Sequence, residues 1–257
     1  MQIIIPMTGE GSRFKAAGYD RLKPMIYVHG KTILEHVVSM FPGDHSFIFV
    51  CREDHVQQYD LTNFIPSFCP NATIVTIQPH KLGPVYAALQ AQDAVKDDEP
   101  IILSYCDYFM AWNFDDFINE VTQNNEDGNV ICYTGFHPHL LPAKNLYAGC
   151  RVDGEKRLTE IKEKFSFEGD KSKGFHSVGA YYFKSGRLMT HYFERAVERN
   201  VSLNGEYYAS LVYNLLLEDH LNVGVYDKVP TFCQWGTPED LEEYLYWADI
   251  FLKNHYA

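Results

Sequence analysis

None of the six cysteines belongs to a Cys-x-x-Cys pair, so a zinc ribbon or a dithiol redox motif has no basis here. They stand at Cys51, Cys69, Cys106, Cys132, Cys150 and Cys233. Cys51, Cys106 and Cys132 lie at or within apolar strand-like runs, where a buried, reduced thiol is the expectation. No apolar run approaches the ~20 residues of a membrane span. Positive charge is scarce: Lys and Arg number 22 against 34 Asp and Glu, a formal net charge of -12. That sign argues against nucleic acid or an anionic membrane as a partner. The chain opens on a strand pattern rather than a signal peptide, which makes a cytoplasmic protein the expectation. No Pro/Gly/Ser linker divides it and no internal repeat is visible. Two phosphate-binding fingerprints are also missing. A dinucleotide loop needs a third glycine where Phe14 stands, which excludes an NAD-dependent oxidoreductase of that type. A Walker A loop ending at Gly30-Lys31-Thr32 needs an earlier glycine where Met25 stands.

What is present is concentrated at the start. The run Ile3-Ile4-Ile5-Pro6-Met7-Thr8-Gly9-Glu10-Gly11-Ser12-Arg13-Phe14 carries an apolar strand into a loop with two glycines, and Lys23-Pro24 follows. Glycines without Cβ let backbone N–H groups approach phosphate oxygens. Arg13 and Lys23 add fixed positive charge within an otherwise acidic chain. Together they suit a triphosphate.

At 257 residues the chain is long enough for a substantial core without disulfides. Strands are expected over 2–6, 46–51, 72–77, 100–105 and 129–135, with helices between them over 32–40, 53–59, 84–94 and 114–123. This βαβα rhythm predicts an α/β fold with a parallel sheet covered on both faces. Ligands of such sheets bind beyond the carboxyl ends of the strands. The glycine loop, Gln78 and Asp107 each follow a strand and could meet on one rim. Beyond residue 145 the pattern changes. Short runs over 147–152 and 157–161 flank Asp153-Gly154, a hairpin signal. Strands over 177–183, 222–226 and 231–234 and helices over 185–199, 206–218 and 238–253 complete the expectation. The organisation predicted is a single domain over 1–257, with a nucleotide-binding half (1–145) and an acceptor-binding half (146–257).

The opening motif resembles that of the nucleotide-diphospho-sugar pyrophosphorylases, the sugar-phosphate nucleotidyltransferases, and the likeness extends over nearly the whole chain. The resemblance implies a three-layer Rossmann-like fold with a mixed, mostly parallel central sheet. It implies that Met7, Thr8, Gly9, Glu10, Gly11, Ser12 and Arg13 wrap the triphosphate and that Lys23 stabilises the transferring phosphoryl group. In Gln78-Pro79-His80-Lys81-Leu82-Gly83 the amide of Gln78 both donates and accepts and would read a base edge, with Gly83 leaving room for the ring and Tyr105 near the nucleotide. A plain strand-to-helix loop is the competing reading.

Asp107 matches the family's metal aspartate and would bind Mg²⁺, an ion often held by one or two carboxylates plus substrate phosphates. Its alternative role is to cap the following helix. Glu163-Lys164 partly matches the family's acceptor-binding Glu-Lys. Gly179 and Glu206 stand where relatives face the acceptor, and Glu206 could instead favour a helix N-terminus. Gln234-Trp235-Gly236-Thr237-Pro238 departs from the family in one respect: Gln234 occupies the place of a second metal aspartate.

The implied activity moves NMP from an NTP, with CTP or UTP favoured, to a small phosphorylated acceptor, and releases pyrophosphate. A sugar 1-phosphate is the commonest acceptor. A second branch of the family uses CTP and small non-sugar phosphates such as phosphocholine. Tyr105, Tyr108, Trp112, Tyr181, Tyr207, Tyr208 and Trp235 could contribute to an aromatic cage for such a head group. A non-catalytic nucleotide-binding relative is the third reading, because of Gln234. Capsule or surface-glycan precursor synthesis is the implied setting, and a homo-oligomer is left open.

Overall fold

The apolar opening run forms strand β1 (Gln2–Met7), every residue of which is buried. Its side chains alternate between two cores: Ile3, Ile5 and Met7 enter one, Ile4 the other. A strand buried on both faces must lie inside a sheet covered twice. The computed structural model, which describes residues 1–254, has that arrangement.

The strands after β1 are β2 (Tyr27–Val28), β3 (Lys31–Thr32), β4 (Ser46–Arg52), β5 (Thr73–Ile77), β6 (Ile101–Ser104), β7 (Tyr108–Ala111) and β8 (Gly128–Tyr133). They continue as β9 (Gly149–Val152), β10 (Leu158–Lys162), β11 (Phe175–Phe183), β12 (Val223–Tyr226) and β13 (Thr231–Gln234). The helices are α1 (Ser12–Ala16), α2 (Ile33–Ser39), α3 (Glu53–Gln58), α4 (Leu61–Phe64), α5 (Pro84–Leu89), α6 (Phe114–Gln123), α7 (Gly186–Glu198), α8 (Ala209–Glu218) and α9 (Pro238–Asn254).

The central sheet is mixed. Its order is β10-β9-β11-β6-β1-β4-β5, with β8 beside β11 and β12 beside β8. The nucleotide-side pairs β1/β4, β1/β6 and β4/β5 are parallel. The long β11 runs antiparallel to β6, β8 and β9 and so joins the two halves in one sheet. One face is covered by α1, α2, α4, α6 and α9, through Phe14, Val37, Leu61, Phe117 and Leu241. The other is covered by α5, α7 and α8, through Val85, Phe193 and Leu216. This is the three-layer fold expected. All six cysteines are free thiols. Among the described residues no helix is long and apolar enough to cross a membrane.

Three departures from expectation matter to the site. Strand β7 was not anticipated; it pairs with β13 in a small separate sheet and brings Gln234 opposite Tyr108. The helix expected over 84–94 stops at Leu89 and resumes as a single 3₁₀ turn, Gln92–Ala94. The helix expected from 206 begins only at Ala209. Its lead-in is a turn in which Asn204 and Gly205 both have positive φ, so residues 206–208 remain loop.

Candidate active site

The parallel strands β1, β5 and β6 deliver three loops to one rim, and the loops enclose a cavity of about 420 Å³. Residues 8–13, His80, Lys81 and Gly83, and residues 105–107 line it, and Glu206 and Tyr208 close it from the second half of the chain. Arg13, Lys23 and Asp107 therefore share one cavity.

The glycine loop owes its shape to Gly11, whose φ of 65° lies in the left-handed region and starts α1. Phe14 is buried on that short helix, so the residue that breaks the dinucleotide fingerprint is the helix's apolar anchor. Met7 is different. Its side chain lies in the core, 2% exposed, and it does not line the cavity.

Lys23 opens a 3₁₀ turn whose next residue, Pro24, is buried. Its Nζ lies 2.6 Å from Asp107 Oδ2, and the two side chains are 18% and 24% exposed. Burial alone pushes the Lys23 ammonium down, but Asp107, with a smaller contribution from Cys106, outweighs burial and the nearby Arg13 charge. The net result lies above the ordinary lysine value, so Lys23 is a cation at neutral pH. The Cys106 thiol beside it is pushed up to about 12, chiefly by burial, and is not a nucleophile at pH 7.

Asp107 does not cap a helix. That task belongs to Asn113, whose side chain accepts from the Asp116 N–H. The Asp107 carbonyl accepts from the Trp235 N–H at 3.0 Å, and the chain turns there into β7. A Cβ built on Gly236 would meet Gln234 Nε2 at 2.8 Å and Asp107 Oδ2 at 3.0 Å, so all three pack together. Among the described residues no group of three or more His, Cys, Asp or Glu could hold a metal ion. One carboxylate beside a neutral amide does not make an all-protein cage. It fits an ion such as Mg²⁺, which keeps several waters and takes substrate phosphate oxygens as ligands.

The remaining candidates divide by position. Glu206 lines the cavity, whereas Gln78, Glu163, Lys164 and Gly179 do not. Gln78 is exposed and donates its amide to Glu53 Oε2. Gly179 supports Tyr105 from below: its carbonyl accepts from the Tyr105 N–H at 2.9 Å, and a Cβ there would lie 2.8 Å from the Tyr105 ring. Glu163 accepts from Ser210 Oγ at 2.6 Å, and Lys164 donates to the Tyr208 hydroxyl at 2.9 Å. Neither caps nor extends a helix. Glu206 likewise accepts from the Tyr208 hydroxyl rather than capping α8.

Gly83 lines the cavity and is also met by a close backbone contact. Its φ is 88°, and the space a side chain would fill is taken by the Tyr207 backbone, 2.8 Å and 2.9 Å from an ideal Cβ. The Tyr207 N–H donates to the Leu82 carbonyl at 2.8 Å, and the Val85 N–H donates to the Tyr207 carbonyl at 3.2 Å. These contacts hold the 206–208 loop against the first half of the chain. Gly83→Ala is expected to cost about 1–3 kcal/mol, a melting-temperature drop of roughly 2–12 °C, and to lower turnover as well. Thermal melts of the two proteins check this; an unchanged midpoint would show that the two loops are not held through this contact.

The sequence leaves His80 and Lys81 equally open to phosphate contact and to loop solvation, and both line the cavity. Lys81 Nζ lies 3.3 Å from Glu10 Oε1, which ties the glycine loop to the 78–83 loop. The available signal was a Lys three residues before a helix, in a loop the family resemblance already linked to the nucleotide.

Comparison with known proteins agrees with this geometry. Residues 3–166 match the MobA-like NTP transferase domain, a stretch that includes the glycine loop, Lys23 and Asp107. The nucleoside-diphosphate-sugar pyrophosphorylase of Vibrio cholerae RC9 superposes with a TM-score of 0.75 at 20% identity, over 95% of this chain and 99% of that one. A putative glucose-1-phosphate thymidylyltransferase from Bacillus anthracis gives 0.72 at 16% identity, over 96% and 95%. The inositol-1-phosphate CTP transferase of T. maritima gives 0.66 at 13% identity, over 95% and 93%. At these identities the likeness is one of fold. The bifunctional protein GlmU of Methanococcus maripaludis is 33% identical over 99 residues, 38% of this chain but only 23% of that protein. The chain thus matches less than a quarter of the length of such curated relatives. The match over 3–166 covers well over half of the chain: the protein belongs to the MobA-like NTP transferase family, whose members are NTP-dependent nucleotidyltransferases.

Proposed function

We propose that the protein transfers NMP from a pyrimidine nucleoside triphosphate to the phosphate of a small acceptor, a sugar 1-phosphate in the first instance. The observation that carries this reading is the convergence of Arg13, Lys23 and Asp107 on one cavity at the carboxyl ends of parallel strands. An acceptor phosphate oxygen forms the new bond to the α-phosphorus. The bond from that phosphorus to the bridging oxygen breaks, and pyrophosphate leaves with the electron pair. No general base is needed, because a phosphate monoester is already largely dianionic at pH 7. The backbone of residues 8–12 and the Arg13 guanidinium hold the departing phosphates. Lys23 places its ammonium on the α-phosphoryl oxygens. Asp107 would hold Mg²⁺, which when bound neutralises phosphate charge. Catalysis then rests on alignment and preorganised charge.

The choice of acceptor rests on the cavity wall. Of the seven aromatic residues that could have formed a cage, only Tyr105 and Tyr208 line the cavity. Tyr108, Tyr181 and Trp235 are each 1% exposed and belong to the core. Two rings enclose a quaternary ammonium poorly, which favours a hydroxyl-bearing acceptor over phosphocholine. The base is less constrained, because Gln78 points to Glu53.

Pyrophosphate release should be measured with each of the four ribonucleoside triphosphates and dTTP against glucose 1-phosphate, inositol 1-phosphate and phosphocholine. Mg²⁺-dependent release with CTP or UTP and a hydroxyl-bearing acceptor is expected. Tight triphosphate binding without release from any pair would point instead to a non-catalytic relative.

A further inference from the structure

The acceptor wall holds a charge relay that none of its members could form alone. Tyr208 has one O–H and one set of lone pairs to offer, and both are in use. Its oxygen accepts from Lys164 Nζ at 2.9 Å, and its proton goes to Glu206 Oε2. The Lys164 ammonium also sits 4.8 Å from the centre of the Tyr208 ring. Lys164 reaches this position from a left-handed backbone with φ 54°, a conformation that costs a side-chain-bearing residue energy and persists where surrounding contacts hold it. Tyr208 itself cannot drift, because Tyr207 before it is bonded on both sides of its peptide to Leu82 and Val85. Behind the relay, Glu163 is fastened to Ser210. Among the described residues Glu206 Oε1 has no protein hydrogen-bond donor, and Glu206 lines the cavity.

We propose that Tyr208 is a positioning residue for the acceptor: it fixes Glu206 by one carboxylate oxygen so that the other is presented to the acceptor's hydroxyl or amine donors, and it keeps Lys164 behind the wall. The proposal rests on the transferase reading above. Lys164 acts on the acceptor through Tyr208 and Glu206 rather than by meeting the acceptor phosphate. Burial raises the Glu163 carboxyl, and the Glu206 charge adds to it, so the Glu163 side chain is sensitive to how Glu206 is held. Without the tyrosine hydroxyl, Glu206 can turn and pair with Lys164 directly, and the open oxygen is lost to the acceptor.

The test is Tyr208→Phe, which keeps the ring and its packing and removes only the bridge. Wild-type protein is assayed first, by pyrophosphate release with glucose 1-phosphate, inositol 1-phosphate and phosphocholine. The acceptor KM of Tyr208→Phe should rise about tenfold, while the KM for the triphosphate and the kcat at saturating acceptor stay within about twofold. Lys164→Met should move the acceptor KM in the same direction by a smaller factor, with the triphosphate KM unchanged. A purely structural role for the tyrosine would instead lower the melting temperature and move both KM values together. An unaltered acceptor KM in Tyr208→Phe, or equal rises in both KM values, overturns the positioning role while the transferase reading stands. Absence of release by the wild-type protein with every acceptor overturns both.

Discussion

Lys23→Ala and Asp107→Ala are each expected to lower pyrophosphate release by roughly a hundred- to a thousand-fold, the loss found on removing one preorganised charge contact. The two residues are 84 apart in sequence and 2.6 Å apart in space. The Asp107 charge helps to keep Lys23 protonated. In Asp107→Ala the Lys23 ammonium loses its main partner and is left with burial and Arg13, both of which push it down. The variant should therefore carry two defects, loss of the carboxylate proposed to hold Mg²⁺ and weakening of the cation proposed to meet the α-phosphoryl group. Lys23→Ala should carry one, the loss of that cation itself. The pair is only partly buried, so either change should cost less stability than the roughly 3–5 kcal/mol of breaking a fully buried ion pair. Thermal melts within a few degrees of wild type would establish that the lost activity is chemical. Lys81→Ala supplies the control. Its side chain lies on the same cavity, is 79% exposed and pairs with Glu10, so it should lose less than tenfold. Release near the wild-type rate from Lys23→Ala or from Asp107→Ala would remove the mechanism.

The first half of the chain was readable because local rules and burial agree there. The run from Ile3 to Met7 cannot lie anywhere but inside a doubly covered sheet, and a loop with Gly11 at positive φ follows from the two glycines. Lys23 and Asp107 could each be assigned to phosphate chemistry, but their mutual pairing could not, because it depends on how the turn at Pro24 meets the turn into β7. The acceptor half was harder. Glu206 was identified by its neighbours in sequence, whereas Tyr208 looked like one more aromatic residue. Its position depends on α8 starting three residues late, and that start is set by a backbone contact between Tyr207 and Gly83 across 124 residues. Gln78 shows the converse. A side chain of the right chemistry at the right strand end points to Glu53 instead, because β4 delivers a carboxylate to the same edge.

A second large effect is expected from acid, in the segment that joins β8 to β9. There His137, His139 and His176 gather around Tyr133, Tyr147 and Phe232, with the His139 ring 5.2 Å from Tyr133, 4.9 Å from Tyr147 and 5.2 Å from Phe232. His139 Nε2 is buried and has no hydrogen-bond partner. Burial, reinforced by His137 and His176, lowers the His139 pKa from 6.5 to about 3. His137 and His176 are lowered as well, also chiefly by burial. The sign follows directly. Below its ordinary pKa the unfolded chain takes up a proton that the folded chain refuses until about pH 3. The contribution of His139 to stability is thus complete above pH 6.5 and declines as pH falls between those two values. The slope approaches about 1.4 kcal/mol per pH unit for each such histidine, against a total stability of only about 5–15 kcal/mol. Melting temperatures measured from pH 7 to pH 4 should fall steeply for the wild-type protein and less steeply for His139→Leu, which cannot titrate. The residual slope belongs to His137 and His176 together with the other groups lowered in the fold, His55 and His80 among them. Hydrogen exchange at pH 5 should show residues 134–150 opening before β1, β4 and β6, because those strands carry no buried histidine. Parallel pH profiles for the wild-type protein and His139→Leu would refute a titrating role for this residue.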